Sequence, residues 1–323
     1  MSTIRVLVLG DVSSPHLEAV KKLGEGVTVD IGMDDDFVRA KAPEAEVILS
    51  ALFSGEPFKL AMQHARAVKW THTLSAGVEH LLTPEFVASP VPLTNARGVY
   101  KKSLAEFALL GVLYFAKEVP TMRRNQMAGK WEKFVSGEAY KGTLGVVGYG
   151  EIGQASAKLA HAIGMRVLAV RRRVEKSGAG DGIAAAVYPT ERMREMLEQC
   201  DYVVVAAPGT PQTRGMMSDG EFAAMKRGSV VINVGRGTVI DEKALIQALQ
   251  SGHLRGAALD VFEKEPLPEG HPFYSMENVL VSPHCADQTV DWLDQSVAFF
   301  VRNFEHYRKG EPLENVVDKE ASY

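Results

Sequence analysis

The sequence predicts an α/β protein built from two doubly wound, parallel-sheet domains. Three observations predict it. Short apolar runs alternate with helical patterns over most of the chain, a second such series begins at Thr143, and the 323 residues are about twice a usual domain length. In the first series Ile4–Leu9, Val27–Ile31, Glu46–Leu49 and Val68–Thr71 read as strands, with segments such as His16–Leu23 and Pro57–Ala65 as helices between them. In the second series the strands are Leu144–Val147, Arg166–Val170, Tyr202–Ala206, Val230–Val234, Gly256–Leu259 and Val279–Ser282. Helices fit at Ile152–Ile163, Glu191–Gln199, Asp219–Met225 and Glu242–Leu249. Alternation of this kind favours parallel strands covered on both faces.

Between the series, Ser103–Val119 reads as one long apolar-periodic helix that joins the domains. Ser103-Leu104-Ala105-Glu106 has the form of a capping box at its start, and Pro120 fits its stop. The tail, Asp291–Tyr307, reads as a helix whose aromatics (Trp292, Phe299, Phe300, Phe304, Tyr307) belong to a core.

Composition narrows the function. The chain is 46% hydrophobic and 24% charged, with a net charge of −4, which weighs against a dedicated nucleic-acid binder. No apolar run approaches the roughly 18 residues of a membrane span, and Ile4–Leu9 is too short for a secretory segment. Two cysteines, Cys200 and Cys285, exclude a disulfide framework and a cysteine-rich zinc site, so a reducing, cytoplasmic setting is expected. No metal site is expected, because His72 and His80, or His253 and His271, lack ligand spacing. Cys285 beside His284 carries little weight as a thiol nucleophile, since no oxyanion turn accompanies it.

The most informative segment is Leu144–Gly153. A strand runs into Gly148-x-Gly150-x-x-Gly153, which opens a helix. The first glycine permits the tight turn, the second lets backbone approach a pyrophosphate, and the third lets helix and strand pack closely. The helix start then offers unpaired N–H groups and a positive dipole end to phosphates. With six strands around it, this turn predicts a Rossmann-type dinucleotide domain. An NAD site would place Asp or Glu at the end of the next strand, to bind the ribose 2′-OH. Here the chain reads Val170-Arg171-Arg172-Arg173. A carboxylate would repel a 2′-phosphate, whereas guanidinium groups bind one, so Arg171 and Arg172 predict NADP in preference to NAD. The alternative is a solvated basic turn.

A hydride transfer to a ketone also needs a tuned acid for the developing alkoxide and a cation to hold the substrate. Three segments beyond predicted strands supply such groups: Ile232–Gly237 with Arg236, Leu259–Pro266 with Asp260 and Glu265, and Ser282–Ala286 with His284. Taken singly, Arg236 could be a structural salt bridge, Glu265 a surface acid and His284 a loop histidine.

Taken in order, these signatures resemble the D-isomer-specific 2-hydroxyacid dehydrogenases. Ala206-Ala207-Pro208-Gly209-Thr210-Pro211-Gln212-Thr213 is similar to the family's segment beneath the nicotinamide ribose, and Ser75–His80 to its substrate loop. The likeness spans about residues 70–290. It implies that Arg236 binds a 2-oxo acid, that His284 donates and accepts the proton, and that Glu265 is its partner. It implies substrate contacts from Ala76, Gly77, Arg236 and His284. Cofactor contacts are expected from Gly148, Gly150, Glu151, Ile152, Gly153, Arg171, Arg172, Ala207, Pro208, Thr213, Val234, Asp260 and Ala286. Related formate dehydrogenases pair the histidine with Gln, so Glu265 favours a hydroxy acid.

The resemblance also implies a flavodoxin-like, discontinuous substrate domain of residues 1–98 plus 292–323. The dinucleotide domain would be residues 99–291, closure over the cleft would exclude water, and members are usually homodimers. Asp287 departs from the family's small residue there and bears on the substrate range. The arginines at 171 and 172 are shared by some glyoxylate and hydroxypyruvate reductases, which directs the expectation to those substrates. The rival is a dinucleotide-sensing corepressor; such proteins keep Arg, Glu and His but commonly carry disordered extensions, and none is expected here.

Overall fold

The computed structural model describes residues 3–52, 54–173 and 182–321. The chain divides into two units, residues 1–100 with 290–323 and residues 101–289, each built on its own parallel sheet.

The first unit contains β1 (Ile4–Leu9), β2 (Val27–Gly32), β3 (Val47–Ser50), β4 (Trp70–Thr73) and β5 (Leu93–Asn95). They lie in the order β2-β1-β3-β4-β5, all parallel, which is the flavodoxin-like arrangement. β4 begins two residues later than the apolar pattern suggests, and β5 is a strand that this pattern does not announce. Both carry buried polar residues: Thr71, His72, Thr73, Thr94 and Asn95. These groups serve one another. Trp70 Nε1 donates to Thr94 Oγ1 at 2.8 Å, His72 Nδ1 lies 2.6 Å from the same oxygen, and Thr71 Oγ1 donates to the Pro92 carbonyl at 3.0 Å. The helix expected at His16–Leu23 is instead a 3₁₀ turn, Pro15–Leu17, and a single helical turn, Glu18–Lys21, before Gly24 in the left-handed region. The tail helix, Trp292–Lys309, is core-forming as its aromatics suggest: Phe300 stacks on Trp70 with centroids 5.4 Å apart.

The second unit contains β6 (Thr143–Val147), β7 (Arg166–Val170), β8 (Ala186–Tyr188), β9 (Tyr202–Val205), β10 (Ser229–Asn233), β11 (Leu254–Leu259) and β12 (Val279–Val281). The order is β12-β11-β10-β9-β6-β7-β8. The sheet therefore has seven strands and not six. The added strand, β8, is a three-residue edge element of half-buried residues, too short to show a period. Every residue of β6, β9 and β10 is buried, as expected for central parallel strands.

The long helix runs Lys101–Ala116, so Ser103 lies inside it and is not its cap. The turn closed by Val99 N–H on the Ala96 carbonyl at 3.1 Å leads directly into Lys101. Pro120 does not stop that helix. The break is Glu118, at φ +54°, and Pro120 sits in the first turn of a second helix, Val119–Met127, where its missing N–H has no consequence. Arg255 secures the break by donating to the Phe115 carbonyl and to Glu118 Oε1, both at 3.1 Å. Among the described residues no helix is long and apolar enough to cross a membrane.

His72 makes the first unit acid-sensitive. Burial pushes its imidazole down to about 3, from an ordinary 6.5. Between those values the unfolded chain binds a proton that the folded chain refuses, so stability is complete above pH 6.5 and falls as pH drops below it. We expect urea-unfolding free energies to fall by up to about 1.4 kcal/mol per pH unit from this group alone. His72→Gln should flatten the curve between pH 6.5 and 4.5. Parallel curves for the two proteins would show that His72 is not responsible.

Candidate active site

In a sheet of this order, the strand order reverses beside β6, and ligands bind beyond the carboxyl ends of the strands there. The turn after β6 has the required shape. Gly148 stands at φ +97°, and a Cβ on it would lie 2.6 Å from the Ala207 nitrogen. A Cβ on Gly153 would lie 2.2 Å from the Gly148 carbonyl oxygen, so only glycine lets helix Glu151–Ala162 sit against this turn. Around Gly150, by contrast, nothing lies within 4 Å of a Cβ position, and no side chain caps the helix start. That open cradle with uncapped N–H groups fits a pyrophosphate. Glu151 is turned to Lys101, 2.5 Å away, and Ile152 is half-buried. After the neighbouring β7, Arg171 is half-buried and Arg172 exposed, and Arg171 N–H donates to the Tyr188 carbonyl at 3.0 Å.

The three polar segments singled out in the sequence follow three adjacent strands. Arg236 follows β10, Asp260 follows β11 and His284 follows β12. Asn233 shapes the first turn: its Nδ2 donates to the Arg236 carbonyl at 3.1 Å, and its Oδ1 accepts from Gly235 N–H at 3.1 Å. The Arg236 stem lies along Gly209, where a Cβ would meet its Cγ at 3.1 Å. Nη1 of Arg236 donates to the Gly235 carbonyl at 2.9 Å.

Asp260 is fully buried and organises the third turn. Its Oδ1 accepts from Ser282 Oγ at 2.5 Å, Cys285 N–H at 2.9 Å and Ala286 N–H at 3.1 Å. Its carbonyl accepts His284 N–H at 2.8 Å. These bonds hold His284 at φ +51°, a left-handed conformation that costs a side-chain-bearing residue about 1–2 kcal/mol. Among the described residues Asp260 Oδ2 is buried with no hydrogen-bond partner, an orphaned acceptor at the same carboxyl edge of the sheet as the glycine-rich turn, three strands away. A carboxamide N–H₂ fits it, which is the demand that a nicotinamide would meet.

His284 Nδ1 donates to Glu265 Oε2 at 2.6 Å, while Glu265 Oε1 accepts Phe262 N–H at 2.8 Å. The two side chains are 43% and 34% exposed, so the pair is fixed yet reachable. The hydrogen bond from Glu265 is the largest influence on His284 and raises its pKa; burial and the Arg236 charge oppose, and the Glu265 and Asp260 charges assist. For Glu265 burial is the largest influence and pushes upward. The His284 bond, the Phe262 N–H and the charges of His284 and Arg236 outweigh it, leaving the carboxyl below its ordinary range. Both shifts describe one imidazolium–carboxylate pair. Arg236 acts on both groups, so the three predicted residues share one electrostatic neighbourhood. Asp287 belongs to it too: burial raises its pKa, with His284, Asp260 and Arg236 all acting on it.

The other expected contacts are placed as follows. Ala207 and Val234 are buried after β9 and β10, and Pro208 is exposed. Thr213 closes its own loop, donating to the Pro208 carbonyl at 2.6 Å and accepting Thr210 N–H at 2.8 Å. Ala286 gives its N–H to Asp260. Ala76 and Gly77 belong to the first unit, half-buried, their carbonyls accepting from Asn95 Nδ2 at 2.6 Å and Ser75 Oγ at 2.7 Å. Two supporting residues, Asn233 and Ser282, lie inside the quoted motifs, yet their part is invisible until the turns close. Glu242 lies outside every motif and carries no local signal of its place near the site.

Comparison with known proteins is consistent across sequence and structure. The family model "D-isomer specific 2-hydroxyacid dehydrogenase, NAD binding domain" matches residues 109–286. A glyoxylate reductase from Korarchaeum cryptofilum is 32% identical over 76% of this chain and 75% of its own length. A D-3-phosphoglycerate dehydrogenase from Archaeoglobus fulgidus is 30% identical over 98% of this chain, which spans only 59% of that protein. Among solved structures, a D-isomer specific 2-hydroxyacid dehydrogenase from Xanthobacter autotrophicus, in complex with NADPH and MES, is 31% identical, with a TM-score of 0.83 and coverage of 100% of both chains. An NADPH-dependent glyoxylate/hydroxypyruvate reductase from Sinorhizobium meliloti, in complex with NADP and sulfate, is 26% identical with a TM-score of 0.83, over 99% of this chain and 100% of that one.

Asp260→Ala tests the turn independently of turnover. It leaves Ser282 Oγ and the N–H groups of Cys285 and Ala286 without their acceptor, and should lower unfolding free energy by about 2 kcal/mol. It should also return the His284 titration, followed by NMR, toward its ordinary value. An unchanged His284 midpoint would show that other contacts hold the turn.

Proposed function

Because the chain belongs to the D-isomer specific 2-hydroxyacid dehydrogenase family, we propose that it reduces a small 2-oxo acid of the glyoxylate or hydroxypyruvate kind to a D-2-hydroxy acid with NADPH. The observation that carries this reading is the His284–Glu265 pair beside Arg236, set along the strand ends that also bear the nucleotide turn. A bound nicotinamide would supply the hydride. The remaining work falls to the chain. Gly148, Gly150 and the start of the following helix receive the pyrophosphate, Asp260 Oδ2 receives the carboxamide, and Arg171 and Arg172 receive the 2′-phosphate. Arg236 holds the substrate carboxylate and polarises its carbonyl. His284 has Nδ1 committed to Glu265, so Nε2 is the atom that gives its proton to the carbonyl oxygen. Glu265 keeps the imidazole protonated until that moment and stabilises the charge on it.

NADPH consumption with glyoxylate, hydroxypyruvate, pyruvate and phenylpyruvate checks the reaction. His284→Ala and Arg236→Ala should each lower kcat/KM by about 10²–10⁴. Tight NADPH binding with no turnover on any of the four acids would support a dinucleotide sensor instead. Reduction needs imidazolium, so the rate should fall as pH rises through the raised His284 value. Glu265→Gln should bring that fall to lower pH. Arg171→Ala with Arg172→Ala should raise the apparent NADPH constant far more than the NADH one; equal effects would refute the 2′-phosphate assignment.

A homodimer completes the proposal. The helix Val119–Met127 has no buried residue, and beyond it Trp131 is 99% and Val135 93% exposed. A second copy of this chain is the partner we assign to that apolar arm. Sedimentation velocity at micromolar concentration should show a dimer that Trp131→Glu with Val135→Glu dissociates. A monomeric wild-type protein would remove the assignment.

A further inference from the structure

A nearly buried pair beside the site has no part in the reaction as proposed. Glu242 opens the helix Glu242–Gln250 but does not cap it. Asp241 does, with Oδ1 accepting from the N–H groups of Lys243 at 3.0 Å and Ala244 at 3.1 Å. The Glu242 carboxylate turns to another loop. Its Oε1 accepts Glu263 N–H at 2.6 Å, and its Oε2 lies 3.5 Å from His271 Nε2. The Glu242 and His271 side chains are only 14% and 17% exposed.

Glu263 and His271 are the two ends of the loop that carries Glu265. On the inner side the same neck is closed by Phe262 and Phe273, both buried, with ring centroids 6.2 Å apart. The neck also touches the Arg236 turn, since a Cβ on Gly237 would stand 1.8 Å from the Phe262 carbonyl carbon and 2.5 Å from the Glu263 nitrogen. One carboxylate thus ties together a loop neck two residues from Glu265 and packed against the residue after Arg236.

We propose that Glu242 is a positioning residue: by tying Glu263 to His271, it sets the place of the Glu265 carboxylate against His284. The proposal rests on the reading of His284 as proton donor. The charged groups acting on His284 are Glu265, Arg236, Asp260 and Asp287. Glu242 is not among them, so its effect passes through the loop backbone. Around Glu242 itself stand His271 and, next in the chain, Lys243; Arg214 lies 4.0 Å from the carboxylate of Glu263, the residue whose N–H Glu242 holds. An acid in a first helical turn also favours the helix dipole, whatever the acid touches. The two roles separate cleanly. A dipole role needs the negative charge, whereas positioning needs a side chain of this length that accepts Glu263 N–H and reaches His271.

The test is an NMR titration of the His284 imidazole together with the kcat–pH profile on glyoxylate, in the full chain. In Glu242→Ala, kcat should fall about tenfold and the His284 midpoint should move down toward its ordinary value, with the NADPH constant and Tm near wild type. Glu242→Gln, which still accepts the N–H, should restore kcat to within about twofold and recover the midpoint. A wild-type midpoint in Glu242→Ala overturns the proposal, as does Glu242→Gln behaving like Glu242→Ala. If Glu242→Ala does not fold, His271→Gln loosens one side of the neck and is read the same way. If the wild-type protein turns over no 2-oxo acid, the proposed reaction fails, while the imidazole titration still decides the positioning.

Discussion

One buried carboxylate holds the site in shape. Asp260 stands at the end of β11, between the strands that deliver Arg236 and His284, and uses a single oxygen to gather Ser282, Cys285 and Ala286. Charge-assisted bonds to backbone N–H groups are strong in a buried setting, and an acceptor serving three donors leaves the turn little freedom. His284 cannot leave its left-handed conformation without breaking that set. The second oxygen of the same carboxylate has no match among the described residues, and an unmatched buried acceptor costs about 1–3 kcal/mol. The rigidity of the protein scaffold and its demand for a ligand therefore arise from the same side chain.

Two carboxylates, Asp260 and Glu265, flank His284 and do different work because their surroundings differ. Asp260 is wholly buried and faces backbone donors, so it shapes the turn. Glu265 is partly exposed, faces the imidazole and shares the influence of Arg236, so it raises the imidazole pKa. Parallel-sheet topology makes this division possible. Strands that run the same way end at the same edge, and residues far apart in the chain arrive together there.

The family and the turns on which its signatures lie were legible in the sequence because glycines at a strand-to-helix turn, and polar residues directly beyond buried strands, leave local marks. Strand placement was legible where strands are apolar. It failed at β4 and β5, where Thr71, His72, Thr73 and Thr94 are buried by pairing with each other, and that pairing has no one-dimensional pattern. It failed at β8 because three residues cannot show a period. Ser103 and Pro120 carry real helix-boundary chemistry, but the turn before Lys101 and the Arg255 contacts at Glu118 decide where the helix begins and ends. Glu242 illustrates the remaining gap. An acidic residue at a helix start has an ordinary local use, and only the folded loop reveals its second partner.

The backbone of His284 has a consequence for how this protein would respond to selection for robustness. Glycine is the residue best suited to φ +51°, and a search for hardier variants would be drawn to that position. It would relax the turn while removing the only imidazole there. Selection for endurance alone therefore runs against keeping the proposed proton donor at this position, and heat-resistant variants that retain it have to gain their margin elsewhere.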